Sequence, residues 1–137
     1  MSPHTYQQWL AVAKQRASDA EAISKHQPQS VGSVYLAGYA IECSLKALLH
    51  RQGRPFPQHG NEGHNLKGLW EASGFRLCDL QDTKGIQTFF LQEWNTAWRY
   101  ETTIPSNPGL AIADLMQGAK LLTGKIQTAV RRRPKRR

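Results

Sequence analysis

A chain of 137 residues, 39% hydrophobic and 20% charged, has the size of one globular domain with a core of its own. It contains no run of eighteen apolar residues, so we expect no membrane-spanning segment, and Met1–His4 show no secretory signal. The two cysteines, Cys43 and Cys78, predict reduced thiols rather than a disulfide or a metal pair. We therefore expect a protein of the bacterial or archaeal cytoplasm.

The net charge of +8 comes mostly from the end of the chain. Six of the eighteen basic residues lie in the last seven positions, and residues 1–130 carry twelve basic against ten acidic side chains. We expect residues 1–130 to form one helical domain and residues 131–137 to form a disordered tail. The tail either attracts RNA through its phosphates or only keeps the protein soluble, and its charge favours neither. Its basic residues are Arg131, Arg132, Arg133, Lys135, Arg136 and Arg137.

The first half of the chain has the apolar spacing of helices. The pattern predicts a first helix over 5–26, a second over 30–51, and a short third helix over 65–73. Between the last two lies a loop, 52–63, which is rich in glycine and proline. The residues that begin and end these helices are Thr5, Pro28, Ser30 and Gly74.

The second half predicts two more long helices. One begins with Asp79 as its N-cap and ends near Tyr100. The other starts at Ser106 or Asn107, with Pro108 at its first helical position, and ends before Pro134. The sequence therefore predicts an all-α protein, a four-helix up-and-down bundle with one short extra helix.

The second helix has two apolar sides, which places it at the centre of the bundle. Its third side is polar and carries Tyr35, Tyr39, Glu42 and Lys46, of which the last two have the favourable spacing for an ion pair. Together with Phe89, Phe90, Trp94 and Trp98, these apolar sides exceed what a monomer of this size has to bury, so we expect a homodimer.

Several standard catalytic patterns are absent from the sequence. It has no Cys-x-x-Cys, no His-Glu-x-x-His and no glycine-rich phosphate loop, and its histidines do not recur at ligand spacing, so we expect neither metal nor cofactor. Arginine and histidine remain. Cleavage of RNA without a metal ion needs a proton acceptor and a cation near the phosphate, and these two residue types supply them.

Three segments in order carry a family resemblance: Tyr39–Leu49, His64–Leu66 and Trp98–Tyr100. In this order and spacing the chain resembles the HEPN family of small prokaryotic helical domains. The resemblance implies a homodimer that binds RNA or a nucleotide. It also implies a possible metal-independent endoribonuclease of a toxin–antitoxin or defence system, with an antitoxin or a nucleotidyltransferase as protein partner.

The resemblance also suggests roles for particular residues. Arg99 contacts phosphate, His64 transfers a proton or contacts phosphate, and Glu42 and Tyr39 orient Arg99. Lys46 and Tyr100 belong to the same binding groove. A second Arg-to-His spacing of the family type occurs at Arg54 and His59, in the loop.

Each of these residues also has a structural interpretation. Glu42 and Lys46 satisfy each other, His64 starts a helix, and Arg99 stacks on its aromatic neighbours. The alternative function is therefore a non-catalytic module that holds a partner protein in the same groove, with Glu42, Lys46 and Arg99 as buried structural ions.

Overall fold

A computed structural model of the chain describes residues 3–56, 63–82, 84–104 and 111–132. All regular structure in these ranges is helical, which confirms the predicted all-α class for the part of the chain that is described. The helices are α1 (Tyr6–His26), α2 (Val31–Gln52), α3 (Leu66–Ala72), α4 (Ile86–Glu93) and α5 (Ile112–Arg131), with 3₁₀ helices at Leu77–Asp79 and Thr96–Tyr100. None of these helices is both long and apolar enough to cross a membrane.

Helices α1 and α2 form an antiparallel hairpin with the bounds that their caps predict. The Thr5 hydroxyl accepts a hydrogen bond from the backbone N–H of Gln8 at 3.1 Å, and the Ser30 hydroxyl accepts one from Gly32 at 3.1 Å. Each bond satisfies a backbone donor that the first turn of a helix would leave without a partner. The short connection between His26 and Val31 then lets α1 lie back along α2.

Helix α2 is the centre of the fold, as its two apolar sides predict. Every residue from Ala40 to Leu49 is buried, and α1, α3 and α5 all pack against this helix. Both apolar stripes lie in one core cluster, with Val34, Ile41 and Leu45 fully buried. The polar side is partly covered too, because Glu42 and Lys46 are each 1% exposed.

The region after α3 differs from the prediction. Asp79 does not cap α4; its carboxylate accepts a bond from the backbone of Arg76 and closes the 3₁₀ turn, which lowers the pKa of Asp79. Asp82 serves α4 instead, accepting from the N–H groups of Gln87 and Thr88 at 3.1 and 2.8 Å. The next departure is at Trp94, where the predicted single helix ends and a 3₁₀ helix follows at Thr96–Tyr100.

The break at Trp94 has a packing reason. Its indole lies against Gly38 of α2, where any Cβ would overlap the ring, and its Nε1 donates to the carbonyl of Tyr35 at 3.2 Å. The ring also stacks on the ring of Tyr35 at 5.7 Å. A continued helix could not deliver the indole into this notch, so the notch fixes where the segment with Arg99 lies on α2.

The aromatic residues on which the dimer prediction depends are buried inside one chain. Phe89, Phe90, Trp94 and Trp98 are all at most 8% exposed. These four residues are satisfied within one chain and give no reason for a dimer, although the dimer itself stays a prediction. Among the residues described, the large hydrophobic side chains that stay exposed are Tyr100 and Leu121.

Helix α5 begins later than predicted, because Ala111 has an extended backbone and the first helical residue is Ile112. The predicted capping residues Ser106, Asn107 and Pro108 lie outside the described residues. The helix ends at Arg131, before Pro134 as predicted.

Candidate functional site

A cluster of three ionisable side chains occupies the covered polar side of α2. The Glu42 carboxylate bonds to Lys46 Nζ through Oε2 at 3.2 Å and to His64 Nδ1 through Oε1 at 2.8 Å. The side chains of Glu42 and Lys46 are each 2% exposed, whereas that of His64 is 34% exposed. The cluster therefore runs from a buried ion pair to an imidazole that reaches the surface.

His64 reaches Glu42 because α3 is anchored against the end of α2. The N-cap of α3 is Asn65, whose side chain accepts from Gly68 N–H at 3.1 Å. The apolar face of α3 is fully buried through Leu66, Leu69 and Trp70. His64 immediately precedes this capped and anchored helix, so the start of α3 holds its ring in place.

Aromatic side chains cover the buried end of the cluster. Lys46 Nζ lies 5.1 Å from the centre of the Trp9 ring, and Trp9 in turn meets Phe56 edge to face at 6.5 Å. Tyr6 lies one turn before Trp9 on α1, and the centre of its ring lies 4.6 Å from the guanidinium of Arg51 on α2. These cation–π contacts keep water away from the pair, which strengthens the attraction between Glu42 and Lys46.

The bond to Glu42 orients the His64 ring. A carboxylate accepts hydrogen bonds, so Nδ1 carries the hydrogen in this pair and Nε2 is left with its lone pair. The His64 side chain is 34% exposed although Nδ1 bonds to a buried carboxylate, so the ring is open to a bound molecule in part. This arrangement can accept a proton from a bound molecule and stabilise the imidazolium that results.

Tyr39 lies one turn before Glu42 on the same side of α2 and is half-buried. Burial raises the pKa of its phenol, and Cys43, Glu42 and Tyr35 act in the same direction, whereas Arg16 of α1 lowers it. Tyr39 therefore stays a neutral hydroxyl, able to donate a hydrogen bond to a ligand on this side of the helix.

Arg99 lies further along the same side of α2 and is exposed. Its guanidinium lies 5.0 Å from the centre of the Tyr100 ring, and hydrogen bonds to the side chains of Tyr100 and then Tyr35 raise its pKa. Tyr35 precedes Glu42 by seven residues, or about 10 Å along the helix axis. The structure thus places Arg99 beside Tyr100 rather than on Glu42, whose oxygens bond to Lys46 and His64. Arg99 is also not the buried ion that the alternative function assumes.

Of the second Arg–His pair, only Arg54 lies within the described residues. Arg54 donates from Nη1 to the carbonyl of Ala72 at 2.9 Å and so closes the end of α3. This is a structural contact. Its predicted partner, His59, lies outside the described residues. In the tail, Arg131 ends α5 and Arg132 follows, both exposed, while Arg133, Lys135, Arg136 and Arg137 also lie outside the described residues.

Three residues that the sequence interpretation missed belong to this region: Trp9, Arg16 and Arg51. Trp9 Nε1 and Arg51 Nε are buried donors without a hydrogen-bond partner. The signal that could have found them is the hairpin itself, since the start of α1 has to face the end of α2. Within the four described ranges, no group of three or more His, Cys, Asp or Glu side chains is placed to hold a metal ion.

Comparison of the chain with family models, with curated proteins and with solved structures found no match.

Proposed function

We propose that this protein is a HEPN-like RNA-binding protein that cleaves RNA without a metal ion, with His64 as the proton-transfer group. The observation that supports this most is the 2.8 Å bond between Glu42 and His64 Nδ1, with the His64 side chain 34% exposed. A histidine needed only to start α3 does not require a buried carboxylate behind it, since Asn65 already caps that helix. A carboxylate–imidazole pair open on one side is the arrangement of a general base.

The reaction would proceed as follows. Nε2 of His64 takes the proton of a ribose 2′-hydroxyl, and the 2′ oxygen attacks the adjacent phosphorus. A bond from the 2′ oxygen to phosphorus forms and the bond to the 5′ oxygen breaks, giving a 2′,3′-cyclic phosphate, and the leaving 5′ oxygen takes a proton from water to become a 5′-hydroxyl. Glu42 stabilises the imidazolium, and Tyr39 and Arg99 contact phosphates along the same side of α2.

The resemblance adds the wider setting of this proposal. We infer a four-helix up-and-down bundle of the HEPN type that works as a homodimer, as part of a toxin–antitoxin or defence system. The exposed Tyr100 supports a shared surface next to Arg99. Light scattering at tens of micromolar tests the dimer, and a single monomeric mass would contradict it.

Purified protein incubated with a mixed-sequence RNA in the presence of EDTA tests the chemistry. We expect cyclic-phosphate products, no cleavage where the RNA carries a 2′-O-methyl group, and loss of cleavage in His64→Gln. The matched control is His50→Gln, which removes an exposed histidine at the end of α2. Arg99→Ala should weaken RNA binding as well as cleavage, whereas Arg54→Ala should leave the cleavage of folded protein unchanged.

Cleavage that persists in His64→Gln would refute the assigned role of His64. If the folded protein neither binds nor cleaves any RNA, the Glu42–Lys46–His64 cluster is structural, and the protein is better understood as a non-catalytic interaction module.

A further inference from the structure

A second concave surface lies between α1 and α5, where these two helices diverge over α2. It encloses about 690 Å³ and is lined along α1 from Lys14 to Lys25 and along α5 from Ala113 to Gln127. These spans are about 16–21 Å long at 1.5 Å per residue. The surface is therefore an elongated channel, and we refer to it as the α1–α5 groove.

The floor of the groove consists of small side chains. Ala37 and Ala40 of α2 form its base, and both are buried. Small residues on the flanking helices complete it: Ala17, Ser18, Ala20 and Ser24 of α1, and Ala113, Ala119, Thr123 and Gly124 of α5. Small side chains let another backbone approach closely, and a groove of this length between two helices is the place of a further helix in a bundle.

The rim of the groove is basic. Among its lining residues are three lysines, Lys14, Lys25 and Lys120, and one acid, Glu21, which already pairs with Lys120 at 3.6 Å. A second copy of this chain, whose residues 1–130 carry twelve basic against ten acidic side chains, offers no acidic excess to such a rim. An occupant with acidic residues flanking an apolar stripe complements it well.

We propose that the α1–α5 groove binds an acidic amphipathic helix of another protein. Small apolar side chains of that helix would face Ala37 and Ala40, and its glutamates or aspartates would face Lys14 and Lys25. This proposal does not depend on RNA cleavage, since the groove contains none of the residues assigned to that reaction.

Gly124 offers a test that leaves the fold intact. A Cβ at this position meets no atom within 4 Å, and Gly124 is exposed and helical. Replacement of such a glycine by a better helix former stabilises the protein. Gly124→Leu should therefore fill the groove without unfolding the protein, and Gly124→Ala is the matched control with a smaller side chain. A melting temperature equal to or above that of the parent confirms that both variants are folded.

The probe is a synthetic helical peptide of about 16 residues, with alanine and leucine on one face and glutamate beside it. A second peptide has lysine in place of each glutamate. By fluorescence anisotropy we expect the acidic peptide to bind the parent and Gly124→Ala alike, and Gly124→Leu about tenfold more weakly. The lysine peptide should bind the parent about tenfold more weakly than the acidic one.

The basic tail could also attract an acidic peptide, but it is present in all three proteins. Equal binding of the acidic peptide to the parent and to Gly124→Leu would therefore overturn the proposal, because it would place the peptide on the tail. Equal binding of both peptides, or no binding of either at millimolar concentration, would also overturn it. A dimeric parent that becomes monomeric in Gly124→Leu would show that the groove binds a second copy instead.

Discussion

Removal of the Glu42 carboxylate should destabilise the protein far more than removal of an ordinary ion-pair partner. Glu42→Ala leaves the Lys46 ammonium, whose side chain is 2% exposed, beneath Trp9 without its carboxylate. Breaking a buried ion pair on one side costs about 3–5 kcal/mol, because the remaining charge stays desolvated. The bond to His64 is lost in the same variant, so we expect the upper half of that range.

The size of the effect translates into a large thermal shift. At about 2.1 cal/mol/K per residue, 137 residues give an unfolding entropy of about 0.29 kcal/mol/K. A loss in the upper half of that range, about 4–5 kcal/mol, then lowers the melting temperature by about 14–17 °C. Circular dichroism at 222 nm during heating, with urea titration at 25 °C, measures both quantities. The control is Asp19→Ala, which removes the partly exposed Arg16–Asp19 pair at 3.1 Å, together with a bond from Gln15, and should change stability by less than about 1 kcal/mol.

A double variant separates the contribution of the two charges from that of the volume of the two side chains. Glu42→Leu with Lys46→Met removes both charges and keeps apolar volume, and such replacements are often neutral or stabilising. We therefore expect the double variant to be more stable than either single variant. The argument would be refuted by a loss of less than 1 kcal/mol in Glu42→Ala, or by a double variant as unstable as the sum of the singles.

Three further predictions concern Gly38, Cys43 and the basic tail. Gly38→Ala should displace the Trp94 indole and lower the melting temperature, because a Cβ at position 38 would overlap the ring. A smaller change in tryptophan fluorescence on unfolding would also detect the displacement. An unchanged melting temperature would contradict the close contact between Gly38 and Trp94. Burial raises the pKa of the Cys43 thiol from 9.0 to about 12, so the unfolded chain ionises first, and stability present below about pH 9 should be lost towards pH 12 by up to about 1.4 kcal/mol per pH unit. Cys43→Ala should flatten this alkaline limb, and a thiol reagent should label only Cys78 in the native protein. Deletion of residues 131–137 should weaken binding to every RNA by a similar factor and reduce the salt slope by up to about 4 units at roughly 0.7 per charge; equal slopes would show that the tail only solubilises the protein.

Local signals in the sequence determined most of the helices. The hydroxyls of Thr5 and Ser30 mark helix starts that no tertiary contact needs to correct, and α1 and α2 begin one residue after each. The helix predicted from Asp79 to Tyr100 is wrong for the opposite reason. Its apolar spacing is helical, but the close approach of Trp94 to Gly38, 56 positions away in the chain, decides where the helix ends. Periodicity cannot reveal a notch made by the absence of a side chain on another helix.

The site was predictable in its residue types but not in its pairing. The i, i+4 spacing predicted the bond between Glu42 and Lys46, because one helix supplies both side chains. The bond between Glu42 and His64 spans 22 positions and a loop, and the resemblance brought the two residues to one groove without saying which nitrogen would face which oxygen. For the same reason Arg99 was expected on Glu42 and lies beside Tyr100 instead, in the segment that the anchoring of Trp94 positions.

The aromatic cover over Lys46 was not predicted, but it could have been derived from the hairpin of α1 and α2. In an antiparallel helix pair with a short connection, the numbers of facing residues add up to a nearly constant value. Here Tyr6 faces Arg51, Trp9 faces Lys46, and each sum is about 56. Once His26 and Val31 are accepted as the ends of the two helices, this rule places Lys46 opposite residues 9–11 of α1, and Trp9 is the aromatic residue among them. It follows that Lys46 is covered and that Glu42 is its buried counter-ion. His64 is the member of the cluster that the hairpin does not cover, so any reaction of the cluster with a bound molecule has to begin at His64.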